Sequence, residues 1–535
     1  LSEVIVINSK LNDGMYIYHS ADVLIFGKTE ITGGNLYVES SNATIWNSKI
    51  SNRLYTDIVN LNLHDLEKLH GISPWGSGRG EYTSIDNVTF TSWVDIAGTS
   101  IDLTNSSVSS GAVYVYHKFV NMTNIALVDS LTIGGGSPTS TYQVYLNNVT
   151  VSSGHLEGAV RDQLHLEDVH TTKGSSTLRT GKLWMSNSTF VKSSSNTASY
   201  SIYVSSMSDY DNSSTEDIYI YNSTIRLNTT SDTEYNFLFD IDTTGDIQII
   251  DSEINATRYR TSTIELKGSE VLIRNSTIWS GTLNGDAGTY CRNTYSEDHS
   301  NCAGYGRYTR SYLILDVNNL TIEDSVLKAT SEMTSTTGYY YYSGYNYYIW
   351  RATWTYVDVD VEYDLKVDGS LILGYASNAG PDSQNKRAYL DYDIAVQNLE
   401  MLDSSLKGTR PAGDSANFGS YGIGTFDYDL KIESGGGEID IQESWLGVVE
   451  FATTGTVYIH EANYTLSVTN STLHTHLQAW FDGYGCCSTY QNAEAFIDNS
   501  TVGGNIDIRQ LSEVIVINSK LNDGMYIYHS ADVLI

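Results

Sequence analysis

Short runs of alternating apolar and polar residues fill this chain, and each run closes on the same kind of phrase. An apolar alternation leads to Asn or Asp, then a small polar residue, any residue, and an apolar one. The phrase reads VINSKL at 6–11, IWNSKI at 45–50, SIDNVTF at 84–90, YLNNVTV at 145–151, WMSNSTF at 184–190 and IYNSTI at 220–225. It continues as IIDSEI at 249–254, LIRNSTI at 272–278, TIEDSVL at 321–327, EMLDSSL at 400–406, SVTNSTL at 467–473 and FIDNSTV at 496–502. Alternation with period two predicts strands with one buried face. No long stretch carries apolar residues at helical spacing.

The turn residue falls at 87, 105, 148, 168 and 187, with intervals often of about 18–22 residues. Three short strands and three turns use about that many, the length of one coil of a parallel β-solenoid. One coil cannot bury its apolar face alone, whereas stacked coils make a continuous core. Coils stack at the inter-strand distance of about 4.8 Å, so roughly 20 of them would extend about 95 Å. Where intervals lengthen, as from Asp324 to Asp403, the extra residues read as loops thrown out of turns, at 70–81, 281–311, 331–356, 374–388 and 408–424. Pro74, Pro138, Pro381 and Pro411, the four prolines of the chain, all fall in loop-like stretches, away from ladders that a missing N–H would break.

On this coil length and these phrases, the chain resembles the right-handed parallel β-helix proteins, the pectate-lyase-like β-solenoid superfamily, over nearly its whole length. The resemblance implies an all-β, right-handed parallel β-helix of roughly 20 coils with long loop insertions. The handedness comes from the family alone. Enzymes of that superfamily cleave polysaccharides with clustered carboxylates, or with Ca²⁺ and a basic residue. The marks of its polygalacturonase-like members are missing here; the nearest string to Gly-His-Gly is GHLEG at 154–158. The expectation is a protein that is not an enzyme.

Residues 1–25 and 511–535 are the same sequence, LSEVIVINSKLNDGMYIYHSADVLI. The chain therefore reads as one β-solenoid repeat unit over 1–510 and the start of the next, identical unit over 511–535. The period then spans a whole number of coils. Each unit would cap the one before it, which answers the problem of open strand edges at the end of a stack.

Composition narrows the partners. Formal net charge is −33, and only 17% of residues are charged. A surface so acidic does not suit a phosphate backbone or an anionic membrane face. No run of apolar residues is long enough to span a bilayer, so neither nucleic acid nor membrane insertion is expected. Cys291 and Cys302 bracket the polar segment RNTYSEDHSN, and Cys486 and Cys487 are adjacent. No zinc-ligand spacing surrounds them, so disulfides in an oxidising compartment are expected, with the pairing open.

Fifteen Asn-x-Ser/Thr acceptor motifs are present: Asn42, Asn87, Asn105, Asn121, Asn148, Asn187, Asn212, Asn222, Asn228, Asn255, Asn275, Asn319, Asn463, Asn470 and Asn499. Eight of them sit at the recurrent turn. Stacked at one corner of successive coils, they would line the exterior with attachment points. The competing reading is an Asn ladder, with amides bonded from coil to coil. The same position also holds Asp251, Asp324, Asp403 and Glu443, which favours a solvated turn and covalent N-glycans.

Two further features bear on ligands. VEYDLKV at 361–367, LDYDIAV at 390–396 and FDYDLKI at 426–432 look like equivalent strands. Stacking would align Glu362 with Asp391 and Asp427, and Asp364 with Asp393 and Asp429, with Asp358 and Asp360 extending the stripe. Like carboxylates at strand spacing repel, which a Ca²⁺ ion would relieve; the plainer reading is a solvated acidic face offset by Lys366 and Lys431. Residues 339–350 read YYYYSGYNYYIW, either an aromatic contact surface or a lid on the solenoid.

The function these features suggest is structural: an extracellular or cell-surface filament or surface-layer protein of tandem, N-glycosylated β-solenoid units, joined head to tail with identical copies. The alternatives are a β-helix polysaccharide lyase or hydrolase, and a glycan-binding adhesin using the Tyr-rich loop.

Overall fold

A computed structural model of the chain describes residues 2–74, 80–134, 141–172, 176–194, 202–205, 217–229, 239–258, 261–282, 306–333, 339–342, 345–348, 350–378, 386–409, 428–434, 438–442, 444–449, 456–460, 465–473, 476–480, 494–509, 511–528 and 532–535. Every helix or strand assignment among them is strand. Strands of the main sheet pair in parallel with partners further along the chain, an all-β arrangement compatible with the β-solenoid class. The chain divides into two units, Leu1–Ser194 with Tyr200–Arg226, and Ser195–Ser199 with Leu227–Ile535.

In the first unit, strand Glu3–Ile7 pairs with Met15–Phe26 through Glu3↔Asp22, and Met15–Phe26 pairs with Leu36–Trp46 through Val23↔Ala43. The ladder runs on through Lys49–Pro74, Gly80–Phe90, Val94–Thr104, Val113–Leu127, Gln143–Val151, Leu156–Thr171 and Ser176–Ser186. Alternation turns every second residue inward. One inward row is Ile25, Ile45, Leu63, Ile85, Leu103, Met122, Leu146, Leu166 and Met185, each directly opposite the next and all buried. Aliphatic side chains stacked in register remove one another from water, which is why a coil needs its neighbours.

The second unit repeats this plan. Its corresponding row is Ile249, Ile273, Ile322, Val367, Met401, Ile441, Val468, Ile497 and Val516, again buried throughout. Partners lie further apart in sequence here, as in Thr261↔Arg310 and Arg351↔Lys386.

Between strands, and within several of the longer ones such as Gly80–Phe90, the chain bends through a residue at positive φ. Such residues include Asn8, Asn47, Asp65, Asn87, Asn105, Asn124, Asn148, Asp168, Asn187 and Asn222, and then Asp251, Asn275, Asp324, Asp403, Asn470, Asn499 and Asn518, with φ from 42° to 58°. L-residues avoid this region, and Asn and Asp tolerate it best because their short side chains bond locally. The backbone ladder persists through the bend: Asn105 N donates to Thr123 O, and Asp324 N to Asp368 O, both at 3.0 Å.

The interval from Asp324 to Asp403, where the sequence predicts loops at 331–356 and 374–388 around a strand at 361–367, holds more strand than that reading gives it. A full coil occupies that interval, with strands Trp350–Asp368 and Leu371–Asn378. Its bend is Gly369, at φ 57°, whose N–H donates to Leu402 O. Glycine reaches this conformation without a side chain, so the coil carries no Asn or Asp mark. A Cβ at this position would come within 2.7 Å of Asp324 Oδ1. The other expected loops shrink at their edges: Lys49–Pro74 includes the start of 70–81, and Gly306–Glu323 the end of 281–311. Strands likewise enter 331–356, 374–388 and 408–424, through Val326–Met333, Lys386–Leu402 and Ser405–Thr409.

The repeated 25-residue segment begins with matching strands in both places but in different surroundings: Val514 and Val516 are buried, whereas Val4 and Val6 are half-buried. Glu3–Ile7 and Lys10–Leu11 match Glu513–Ile517 and Lys520–Leu521. Glu3↔Asp22 and Glu513↔Asp532 are the same register.

Candidate glycan-acceptor turns

Directly after the bend comes the small residue of the repeating phrase, and it points inward. In the second unit Ser252, Ser276, Ser325, Ser370, Ser404, Ser444, Ser471 and Ser500 are all buried. Ser276 N donates to Ser325 Oγ at 3.0 Å, Ser325 N to Ser370 Oγ at 3.0 Å, and Ser370 N to Ser404 Oγ at 3.1 Å. The series extends from Ser252 to Ser519 without a break. Each hydroxyl also donates to the carbonyl two residues back, as Ser325 Oγ does to Glu323 O at 2.6 Å. One side chain thereby closes its own bend and satisfies a buried N–H of the neighbouring coil. In the first unit Val88 and Val169 replace the serine, yet their N–H groups still donate to Ser106 Oγ and Ser188 Oγ.

The Asn of the bend points the other way. Asn87, Asn105, Asn148, Asn187, Asn222, Asn275, Asn470 and Asn499 are all exposed and all at positive φ. They also bond from coil to coil: Asn148 Nδ2 to Asn124 Oδ1 at 2.8 Å, Asn222 Nδ2 to Asn187 Oδ1 at 2.8 Å, and Asn499 Nδ2 to Asn470 Oδ1 at 2.7 Å. Ladder and solvated turn, weighed as alternatives in the sequence, coexist on the exterior; the buried ladder is built from serine. A carboxamide carries two N–H bonds, so one can hold the neighbouring coil while the other position takes a sugar.

The remaining acceptor motifs divide. Asn42 is exposed and donates to Asp22 Oδ1 at 2.8 Å. Asn121, Asn255 and Asn319 are half-buried. Asn319 Nδ2 donates to Glu270 Oε1 at 2.6 Å, and its Oδ1 accepts from Asp364 N at 3.1 Å. Asn212, Asn463 and the side chain of Asn228 lie outside the described residues, as do Cys291, Cys302, Cys486 and Cys487.

The carboxylate stripe takes a different register from the one its strings suggest. Asp358 lies opposite Asp393, Tyr356 opposite Asp391, and Asp364 opposite Asn398, which donates to it at 2.6 Å. Asp391 in turn faces Asp429, and Asp393 faces Lys431. The reason is packing: Tyr392 is fully buried, with its hydroxyl on Ile372 O at 3.1 Å, whereas Tyr363, in the look-alike string, is exposed beside the register shift between Val361 and Asp364. Burial and the charges of Asp393, Asp360, Asp391 and Asp316 push the Asp358 carboxyl up. Asp360, Glu362 and Asp364 are exposed, and Lys366 pairs with Glu400 at 3.8 Å. Asp427 lies outside the described residues. Among those described, no three His, Cys, Asp or Glu side chains group to hold a metal ion. The Tyr-rich segment forms a two-stranded antiparallel hairpin, Tyr339–Tyr342 with Tyr345–Tyr348, whose side chains are not described.

Comparison of the chain with protein-family models, with curated proteins and with solved structures finds no match in any of the three.

Proposed function

We propose that this chain is a structural, extracellular or cell-surface protein: a right-handed β-solenoid of roughly 20 coils, N-glycosylated on its exterior turns and joined to identical units head to tail in a filament or surface layer.

The observation that carries the reading is a difference between Asn and Asp at the same bend. Among the described residues at positive φ, twelve are Asn and five are Asp. Eight of the Asn turns have Ser or Thr two residues on, at Thr89, Ser107, Thr150, Thr189, Thr224, Thr277, Thr472 and Thr501; the other four, Asn8, Asn47, Asn124 and Asn518, have Lys, Lys, Ala and Lys. Of the Asp turns, only Asp403 is followed by a hydroxyl, Ser405. The bend accepts either residue, and the serine ladder uses the position between. Neither requires a hydroxyl at the third position, but an N-glycan acceptor does. Continuity between units is supported by Glu513–Ile517, which pairs with Glu494–Asp498 before it and with Asp532–Leu534 after it.

The test is the mass of the denatured chain before and after enzymatic deglycosylation. Loss of mass, with Asn converted to Asp at the turn positions, is expected. A chain that carries no sugar sinks the glycosylated coat, and a chain of a single unit's mass sinks the covalent tandem.

A further inference from the structure

On the exterior of the first unit a trough of about 320 Å³ crosses strands Val94–Thr104, Val113–Leu127, Gln143–Val151 and Leu156–Thr171. Phe119 and Tyr145 line it with flat apolar faces, 45% and 37% exposed. Asn121 lies among them. It shares a face with Phe119, two residues back on the same strand, and stands opposite Tyr145 on one side and Asp102 on the other. Asn121 is also the acceptor of the motif Asn121-Met122-Thr123.

The polar groups around Asn121 are unevenly satisfied. Its Nδ2 donates to Asp102 Oδ1 at 3.0 Å, and Asp102 Oδ2 accepts from the Tyr82 hydroxyl at 2.8 Å. Its Oδ1 is buried and accepts no hydrogen bond. A buried acceptor without a donor is costly. No Lys or Arg lines the trough, and burial holds His165, which does line it, below its ordinary imidazole range. An anionic ligand has nothing to meet here. A neutral ring with an apolar face matches the aromatic walls.

We propose that the trough is a cradle for a carbohydrate chain attached to Asn121 itself, its first rings lying against Phe119 and Tyr145. The inference rests on the N-glycosylation reading of the turns. Nδ2 forms a bond to the anomeric carbon of an activated glycosyl phosphate donor as the carbon–oxygen bond to phosphate breaks. The phosphate ester leaves with the bonding pair, and one Nδ2 proton is lost. The remaining N–H keeps the bond to Asp102. Transfer precedes closure of the coil on its neighbours, since the fold half-buries Asn121. Sugars on the bends stand in solvent; this one is walled.

The experiment is site-resolved glycopeptide mass spectrometry of the secreted full chain during native-state digestion with a peptide N-glycan amidase. Release at Asn105 and Asn148 is expected to be fast, and release at Asn121 slower by roughly tenfold or more, because it needs local opening. Phe119→Ala, and independently Tyr145→Ala, should bring Asn121 to the rate of the turn sites with occupancy unchanged. Sugar at Asn105 and Asn148 with none at Asn121 overturns the cradle and leaves the glycosylated coat standing. Equal release rates in the unmutated protein also overturn it. No sugar at any site overturns the cradle together with the coat.

Discussion

Ser325 N and Ser370 Oγ are 3.0 Å apart, although 45 residues separate them in the chain. Ser370 Oγ donates in turn to Asp368 O at 2.7 Å. A hydroxyl held by its own bend is thus a fixed acceptor for the coil before it, and the same two bonds recur from Ser252 to Ser519.

Ser370→Ala should remove that acceptor and leave a buried N–H unpaired, destabilising the chain by about 1–3 kcal/mol. The exposed Ser41 is the control, and Ser41→Ala should stay within about 0.5 kcal/mol. Urea midpoints read both. Equal midpoints for the two variants would mean that the ladder is incidental to stability.

The bend and the acceptor motif can be separated at Asn499. Asn499→Ala should lower stability by about 1–2 kcal/mol, because alanine resists φ near 46°. Asn499→Gly should lose less, since glycine reaches that conformation freely. Thr501→Val keeps the bend and removes only the motif. Melting temperatures of protein made without glycosylation should rank Thr501→Val nearest the parent, then Gly, then Ala, and in a glycosylating host all three should lose any sugar at Asn499.

Two buried titratable groups should give the units opposite responses to acid. Burial lowers His117 to about 4 from 6.5, so the unfolded first unit holds a proton that the folded one does not. Its stability should therefore rise with pH between 4 and 6.5, by up to about 3 kcal/mol. In the second unit, burial first, then the charges of Glu265 and Asp242, raise Asp240 to about 6, while Lys267 opposes them. Here the folded state holds the extra proton. The stability it confers is present below the unfolded value of 3.8 and is lost as pH rises through 6, by a similar amount. Hydrogen exchange resolved by unit, from pH 4 to 7, should show the two slopes. His117→Gln should flatten the first and Asp240→Asn the second.

Asp358 and Asp393 face each other across adjacent strands, and Asp393 adds to the upward push on the Asp358 carboxyl. Asp358→Asn should raise the melting temperature slightly at pH 7, by relief of like-charge repulsion. The gain should vanish below the carboxylate range and shrink in high salt, where exposed charges are screened. A gain that persists at low pH would point to packing instead.

Much of this was legible in the chain. The alternation that buries Ile249, Ile273 and Ile322 is local, and so is the preference of Asn or Asp for a left-handed bend. The serine column was visible as the recurring Ser of NS and DS phrases, but its direction was not, because a small polar residue can face either way at a turn. Gly369 escaped for the opposite reason: it performs the bend without the side chain that marks the others.

What the sequence by itself determined is the repeating element: strand, left-handed bend, strand, with one face apolar. Each part depends on residues next to one another. The tertiary structure alone decided which coil meets which. Period two permits a slip of any even number of residues with no change of face, so DYDI and EYDL look equivalent on paper. Burial of Tyr392, with its hydroxyl on Ile372 O, selects the register that sets Asp393 against Asp358. By the same logic Asn121, one acceptor motif among fifteen in the sequence, becomes distinct only where Phe119 and Tyr145 are brought beside it.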